Sequence, residues 1–500
     1  MSPTPPFLRI NGTRDLLGRD YALAQHLRLG LQALLEAYGY QPVETPILEQ
    51  TDLYLRKSGG EVAARMYALT DQGGRRLSLR PEFTASVIRS YLERADALSL
   101  PVRWQYCGPV FRSEAPYRQQ TQLGAELIGS ASRRADAEVV ALACRGLEAL
   151  GLHAWELVLS SAGLLPALLE DLGLSERATL LIVRHLEALR RGPEGLASVR
   201  ERLAEFGLLG LEPSEVPGYL SGMDEQDARA IIRGLLSSGG VQGNGGRDAD
   251  EILQRFLAKL RRADDPERVE QALALAVDLA QVRAAPDEAL AAGEDIALRF
   301  GLSPRPLDDL RRLLALLERL DLDPKRITVD LGLARGLAYY TGVIFDLIHP
   351  DLPPDRPLGG GGRYDGLVRS LGDHTDVPAI GFAYTLEHLE EALTAEDIDL
   401  PLVGPPLVDA LLVPESERAY RATTTAANLL RAAGMRATVE IEDRSLAESI
   451  RSAEQRGIGW VLLISEAGVV VEEYRTGLGA GVLRGPTPGG VLRDAAPGPS

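Results

Sequence analysis

Strand-like patterning in this 500-residue chain stops near Ser160 and does not resume until Ile327. Between them, from about Leu164 to Leu317, Leu and Ala recur at helical spacing. Pro193, Pro213, Pro217 and the loop Ser237 to Gly246 interrupt this stretch. The loop lacks the lysine and hydroxyl of a phosphate-binding loop and reads as a flexible linker. Any sheet must therefore be assembled from two stretches far apart in sequence. The expectation is an α+β protein: a core in two parts, 1–163 and 318–398, around a mostly helical insertion, 164–317.

In the first part, apolar residues recur through Leu23, Leu27, Leu31, Leu34 and Leu35, and Gly39 stops that helix. Tyr40 to Glu49 reads as a strand broken at Pro46, which lacks a donor and suits an edge or a bulge. Met66 to Arg80 reads as a hairpin about Gly73-Gly74, followed by Pro81-Glu-Phe-Thr84 and a helix from Ala85 to Arg94. Val102 to Arg112, Leu123 to Gly129 and Glu156 to Ser160 read as strands, with a helix from Asp136 to Gly151.

In the second part, Leu331 to Asp346 reads as strand, glycine-punctuated turn and strand, a hairpin. Its turn carries Arg335, a fixed cationic fork, and Tyr339 and Tyr340, flat faces with polar tips. Together they can grip a small zwitterion. A proline-containing linker, Leu400 to Pro406, precedes a strand–helix alternation over 406–485 that predicts a small α/β unit with a largely parallel sheet. Residues 486–500 read as a frayed tail.

Composition narrows the function. The net charge of −17 argues against broad non-specific nucleic-acid binding. Three lysines among 54 basic residues read first as genomic bias. Cys107 and Cys144, far apart in apolar surroundings, fit a reducing cytoplasm better than a disulfide framework. Six histidines show no ligand spacing, so no metal is implied. There is no apolar run of about 18 residues and no signal-peptide pattern. These features predict a cytoplasmic protein with no membrane span.

Four segments form an ordered set: Leu79-Arg-Pro-Glu-Phe-Thr84, Gly108-Pro-Val-Phe-Arg-Ser-Glu114, Arg335-Gly-Leu-Ala-Tyr-Tyr-Thr341 and Gly359-Gly-Gly-Gly-Arg-Tyr-Asp365. In this order and spacing the chain resembles the histidyl-tRNA synthetase family of class II synthetases. Gly12-Thr-Arg-Asp-Leu-Leu17 and the Pro46 strand match as well. The resemblance implies a class II synthetase-like antiparallel sheet flanked by helices, a C-terminal anticodon-binding-like domain and a histidine pocket on one sheet face. Residue by residue, it carries the amino-group positions onto Glu82 and Thr84. It carries the amino-group and imidazole side onto Gln122 and Glu126, and the loop over the ligand onto Arg335, Tyr339 and Tyr340. Arg112 matches the first of two ATP-gripping arginines and joins the same binding set.

The departures are specific. The second arginine of that grip is His388, which follows Gly381-Phe-Ala-Tyr-Thr-Leu-Glu. A histidine, mostly neutral at pH 7, cannot reproduce a permanently charged fork. The loop from Ala115 to Gln120 is shorter than the family pattern, a polar residue near Gln120 replaces the aromatic that stacks on adenine, and Ala338 replaces an acid. Losing these together removes electrostatic stabilisation where phosphoryl chemistry needs it.

A kept histidine pocket with lost adenylation machinery resembles the ATP phosphoribosyltransferase regulatory subunits, synthetase paralogues of histidine biosynthesis that also lack catalysis. That resemblance implies a homodimer within a larger hetero-oligomer, joined to a short-form ATP phosphoribosyltransferase catalytic subunit. It also implies a subunit needed for the partner's activity, with L-histidine as ligand and feedback inhibitor; no cofactor is expected, and tRNA binding is not expected unless the C-terminal domain retains it. Many such subunits lack the C-terminal domain that this chain has. The alternatives are an active histidyl-tRNA synthetase with a diverged ATP site, and a synthetase-like protein that binds some other small molecule or partner.

Overall fold

The computed structural model describes residues 8–58, 65–113, 117–209, 264–333, 339–372, 376–398, 400, 408–476 and 487–495. Contacts divide the chain into two units, residues 1–15 with 27–399 and residues 16–26 with 400–500. The first unit holds β1 (Gln41–Pro42), β2 (Leu48–Gln50), β3 (Ala68–Thr70), β4 (Arg76–Leu79), β5 (Val102–Phe111) and β6 (Gln119–Ile128). It continues with β7 (Glu156–Ser161), β8 (Arg283–Ala284), β9 (Ile327–Asp330), β10 (Val343–Ile348), β11 (Gly359–Arg363) and β12 (Ala379–Thr385).

Among the described residues, nine strands form one sheet in the order β1-β5-β6-β12-β11-β10-β7-β9-β8. Every pairing from β5 across to β7 is antiparallel; β1 joins β5 and β9 joins β7 in parallel. The expected antiparallel sheet flanked by helices is therefore present, with parallel strands added toward its edges.

Two long-range joins close it. β6 pairs with β12 from Gln122–Thr385 to Ile128–Ala379, and β7 pairs with β10 from Glu156–Ile348 to Ser161–Val343. The helix Arg133–Ala149, capped by the Ser132 side chain accepting from the Arg134 N–H, lies against β10, β11 and β12. Tyr384 of β12 donates its hydroxyl to Ala143 O on that helix at 2.5 Å. On the opposite face, the helix Thr84–Leu92 presents Val87, Ile88 and Tyr91 to a core shared with Trp104 and Tyr106 of β5.

The structure changes two readings and adds detail to a third. The hairpin expected over Leu331 to Asp346 does not form, because β7 lies between β9 and β10. β7 is apolar on both faces, with Leu157, Val158 and Leu159 buried, and a strand of that kind belongs inside a sheet. Among its described residues the segment 164–317 is mostly helical, and it also supplies a sheet element. Arg283–Ala284 forms β8 at the sheet edge, and the helix Asp308–Arg319 packs on Arg133–Ala149. Finally, Pro488–Ala495, read as part of a tail, is a helix that buries Leu492. The linker reading of Ser237 to Gly246 lies outside the described residues.

In the second unit, β13 (Ala410–Pro414), β14 (Ala437–Val439), β15 (Trp460–Ile464) and β16 (Val470–Arg475) form a sheet in the order β14-β13-β15-β16. β13 runs parallel to β14 and β15, and β16 is antiparallel. Strand alternation sorts the core. Ala410 and Leu412 face the helix Tyr420–Ala432 through Ala426, Ala427 and Leu430. Leu411 and Val413 face the helix Leu446–Gln455 through Ile450 and Ala453.

Asp409, just before β13, accepts from the Arg436 backbone N–H at 2.7 Å and from its guanidinium at 3.0 Å. Burial pushes the Asp409 carboxyl up, but the bonds and charge of Arg436 outweigh it and hold the carboxyl below its ordinary value. A carboxylate depressed in the folded state adds stability above its unfolded pKa and loses it as pH falls through the folded pKa. We expect Asp409→Asn to cost roughly 0.5–1 kcal/mol at neutral pH and nothing once both states are protonated. Urea titrations of wild type and variant at pH 7 and in acid below the Asp409 pKa check this, and a gap that persists unchanged in acid would refute it.

Candidate functional site

On β6, Gln120, Gln122, Gly124 and Glu126 are two apart and share one face. Register sets their neighbours. Gln122 lies opposite Gly108 of β5 and Thr385 of β12, and Glu126 opposite Trp104 and Gly381. A Cβ at Gly381 would fall on the Glu126 carboxylate, so only glycine leaves room for it. Glu126 is 1% exposed. Its Oε1 accepts from the Tyr106 hydroxyl at 3.3 Å, and its Oε2 accepts a short bond from the Tyr364 hydroxyl. Burial, ahead of the Glu126 charge, pushes both phenols well above their usual range. Both therefore stay protonated and act as donors, which is how a buried carboxylate is kept.

The second wall comes from the start of the helix Thr84–Leu92. Glu82 Oε1 accepts from the Ala85 N–H at 3.2 Å, which holds the carboxylate at the helix entry. Phe83 stacks on Tyr106 with ring centroids 4.4 Å apart and an 11° interplanar angle. The Arg80 guanidinium lies 3.8 Å from the Phe83 centroid. Arg80 is itself tied to Pro109 O at 2.7 Å and Thr45 O at 2.8 Å. Tyr339 and Tyr340 form the third wall, with rings 4.6 Å apart and Tyr339 edge-on to Tyr364 at 5.8 Å.

These walls enclose a cavity of about 410 Å³. Glu82, Thr84, Arg112, Gln122, Tyr339 and Tyr340, all named from the sequence, line it. Glu126 sits beneath, joined to the lining through Tyr106 and Tyr364. Arg335 and Ala338 lie outside the described residues. The sequence reading missed Tyr106 and Tyr364. Tyr364 stands inside the quoted Gly359 to Asp365 segment, and Tyr106 is two residues before Gly108 on the same strand, so both carried a signal. Arg65, Asp355 and Arg356 also line the cavity, and no sequence pattern marked them.

The cavity is polarised. One end offers acceptors, Glu82 and Gln122 with Glu126 below. At the other, His388 is grouped with Arg112 and Arg356, Tyr117 and Gln120, and Arg65 and Asp355 also line the cavity. That arrangement suits a small zwitterion carrying a hydrogen-bonding ring. His388, in the first turn of the helix Leu386–Ala395, has Nδ1 2.7 Å from Pro357 O. A carbonyl only accepts, so Nδ1 carries the proton. Nε2 then accepts from the Gln120 amide at 3.3 Å. Burial is the main influence lowering the pKa of this imidazole, so at neutral pH it carries no charge. Among the described residues no group of three or more His, Cys, Asp or Glu side chains is placed to hold a metal ion, and no helix is long and apolar enough to cross a membrane.

The fold is that of the class II aminoacyl-tRNA synthetases. The family model described as histidyl-tRNA synthetase matches residues 12–201 and 228–389, and the chain belongs to that family. The histidine--tRNA ligase of Desulforudis audaxviator is 31% identical over 97% of this chain and 99% of its own. That of Thermococcus kodakarensis is 29% identical over 94% of each chain. A solved structure from Bacillus halodurans, described as an ATP phosphoribosyltransferase regulatory subunit/histidyl-tRNA synthetase, is similar in fold. Its TM-score is 0.60, with 22% identity over 90% of this chain and 97% of that one.

Proposed function

We propose that this chain is a non-catalytic regulatory subunit of ATP phosphoribosyltransferase, acting in the cytoplasm with a short catalytic partner in the first step of histidine biosynthesis. It acts by binding histidine in the cavity described above. The ammonium meets Glu82, Thr84 and Gln122, the imidazole lies toward Glu126 and its tyrosines, and the carboxylate faces Arg112, with Tyr339 and Tyr340 over the ligand; the resemblance adds Arg335 to this set. Histidine would bind one state of the complex better than another and set the partner's activity through that difference. The observation that carries this reading is His388. A neutral imidazole, with Nδ1 committed to Pro357 O, stands where the resemblance places a permanent cation of the ATP grip.

A second reading, an active histidyl-tRNA synthetase, is favoured by the full-length likeness to histidine--tRNA ligases and by the presence of a C-terminal α/β unit. One experiment separates the two. The purified chain is mixed with a short-form phosphoribosyltransferase, and activity is measured with and without histidine. We expect the chain to be required for full activity and histidine to suppress it. No stimulation, together with histidine-dependent pyrophosphate exchange by the chain alone, would establish the second reading instead.

A further inference from the structure

The cationic end of the cavity contains a contact that the histidine site does not use. Arg356 Nη1 lies 3.2 Å from Glu391 Oε2 and 3.5 Å from Oε1. The Tyr117 hydroxyl donates a short bond to the same carboxylate, and the Arg356 guanidinium faces the Tyr117 ring at 5.8 Å. Glu391 follows His388 by three residues, so the helix Leu386–Ala395 turns both toward this end. Asp355 lines the cavity as well.

We infer that Glu391 is a specificity-determining residue: by holding Arg356 in an internal ion pair, it keeps phosphate-bearing ligands out of the cavity. The inference rests on the non-catalytic reading and supplies its physical cause. A pyrophosphate or triphosphate entering this end must first break the Arg356–Glu391 pair. It then lies beside two carboxylates, Asp355 and Glu391, with a neutral imidazole where a further cation would help. A ligand whose single carboxylate faces Arg112 meets neither obstacle. Selectivity of this kind comes from an unfavourable contact with the wrong ligand as much as from a favourable one with the right ligand. Arg356 keeps donor capacity in reserve, since its Nε is buried with no hydrogen-bond partner among the described residues.

The test is a gain of binding. Glu391→Gln keeps the shape of the side chain and removes its charge. Inorganic pyrophosphate and magnesium ATP are titrated calorimetrically into the wild-type chain, Glu391→Gln, and the double variant Glu391→Gln/Arg356→Ala. We expect weak or undetectable binding to wild type and affinity raised about tenfold or more in Glu391→Gln. The double variant should lose that gain. Tyr117→Phe removes a bond from Glu391 without touching either charge, and should give a smaller rise in the same direction. This guards against a folding defect in the first variant. Wild-type affinity unaltered in Glu391→Gln and in Tyr117→Phe overturns the inference, as does a gain that survives loss of Arg356. The non-catalytic reading is judged separately: histidine-dependent pyrophosphate exchange by the wild-type chain removes that reading, whatever Glu391→Gln does.

Discussion

Arg363→Ala is expected to destabilise the core unit by roughly 3 kcal/mol or more. Arg363 ends β11 and is 2% exposed, and its partner Asp136 is 1% exposed. The guanidinium donates to Asp136 Oδ1 at 2.7 Å, to Ser130 O at 2.9 Å and to Asp365 Oδ1 at 2.9 Å. Alanine leaves Asp136 charged and buried, with Arg133 Nη1 at 3.0 Å as its remaining cation. That surviving contact places the cost toward the lower end of the range for a broken buried pair. Asp136→Asn added to Arg363→Ala should recover part of the loss, because it removes the stranded charge. Urea unfolding of the three proteins measures this. A loss below about 1 kcal/mol would show that the pair is not what joins β11 to the helix Arg133–Ala149. Tyr364 follows Arg363 directly, so ligand affinity should fall with stability.

The second large effect is expected from Glu126→Gln. The carboxylate receives two hydroxyl donors, Tyr106 and Tyr364. Glutamine has one carbonyl oxygen and an NH₂ that donates, so one phenol would face a donor in a buried site. Hydrogen bonds to a charged group contribute about 1.5–3 kcal/mol, which corresponds to histidine affinity reduced by roughly 10- to 100-fold. Calorimetric titration of histidine checks the prediction, with Tyr364→Phe as a milder comparison that leaves Glu126 one donor. An affinity within twofold of wild type in Glu126→Gln would remove this residue from the proposed histidine site.

Much of the cavity was legible because the ordered motifs that carry the family resemblance also carry its lining residues. Gln122 and Glu126 came from the resemblance, since the strand was read from Leu123 to Gly129; only the observed strand, Gln119–Ile128, puts both on one face. The Glu82 and Thr84 pair sits at a helix start that Pro81 announces. What could not be read was adjacency between distant strands. The residues from Leu331 to Asp346 fit a hairpin in every local respect, yet β7 separates the two strands, a fact carried by the apolar character of residues 157–159. The Arg356–Glu391 pair was invisible for a similar reason. It joins a loop to a helix 35 residues on, and neither residue lies in a recurring pattern. His388 was the opposite case, since one substitution in a recognised motif forecast a chemical state that Pro357 O and burial then explain.

The placement of β7 has a consequence for how the molecule is made. β9 and β10 are nearly consecutive in the chain, but each must find β7, which leaves the ribosome far earlier. Glu126 and Tyr364, which share a hydrogen bond, are 238 residues apart. During synthesis the strand edges of β6 and β7 therefore wait without their final neighbours while the whole helical stretch is made. Sheets completed by such distant joins assemble slowly and leave unpaired edges exposed to other chains. The ligand cavity is among the last features to appear, and a chain truncated before β12 would carry most of the core while having no site at all.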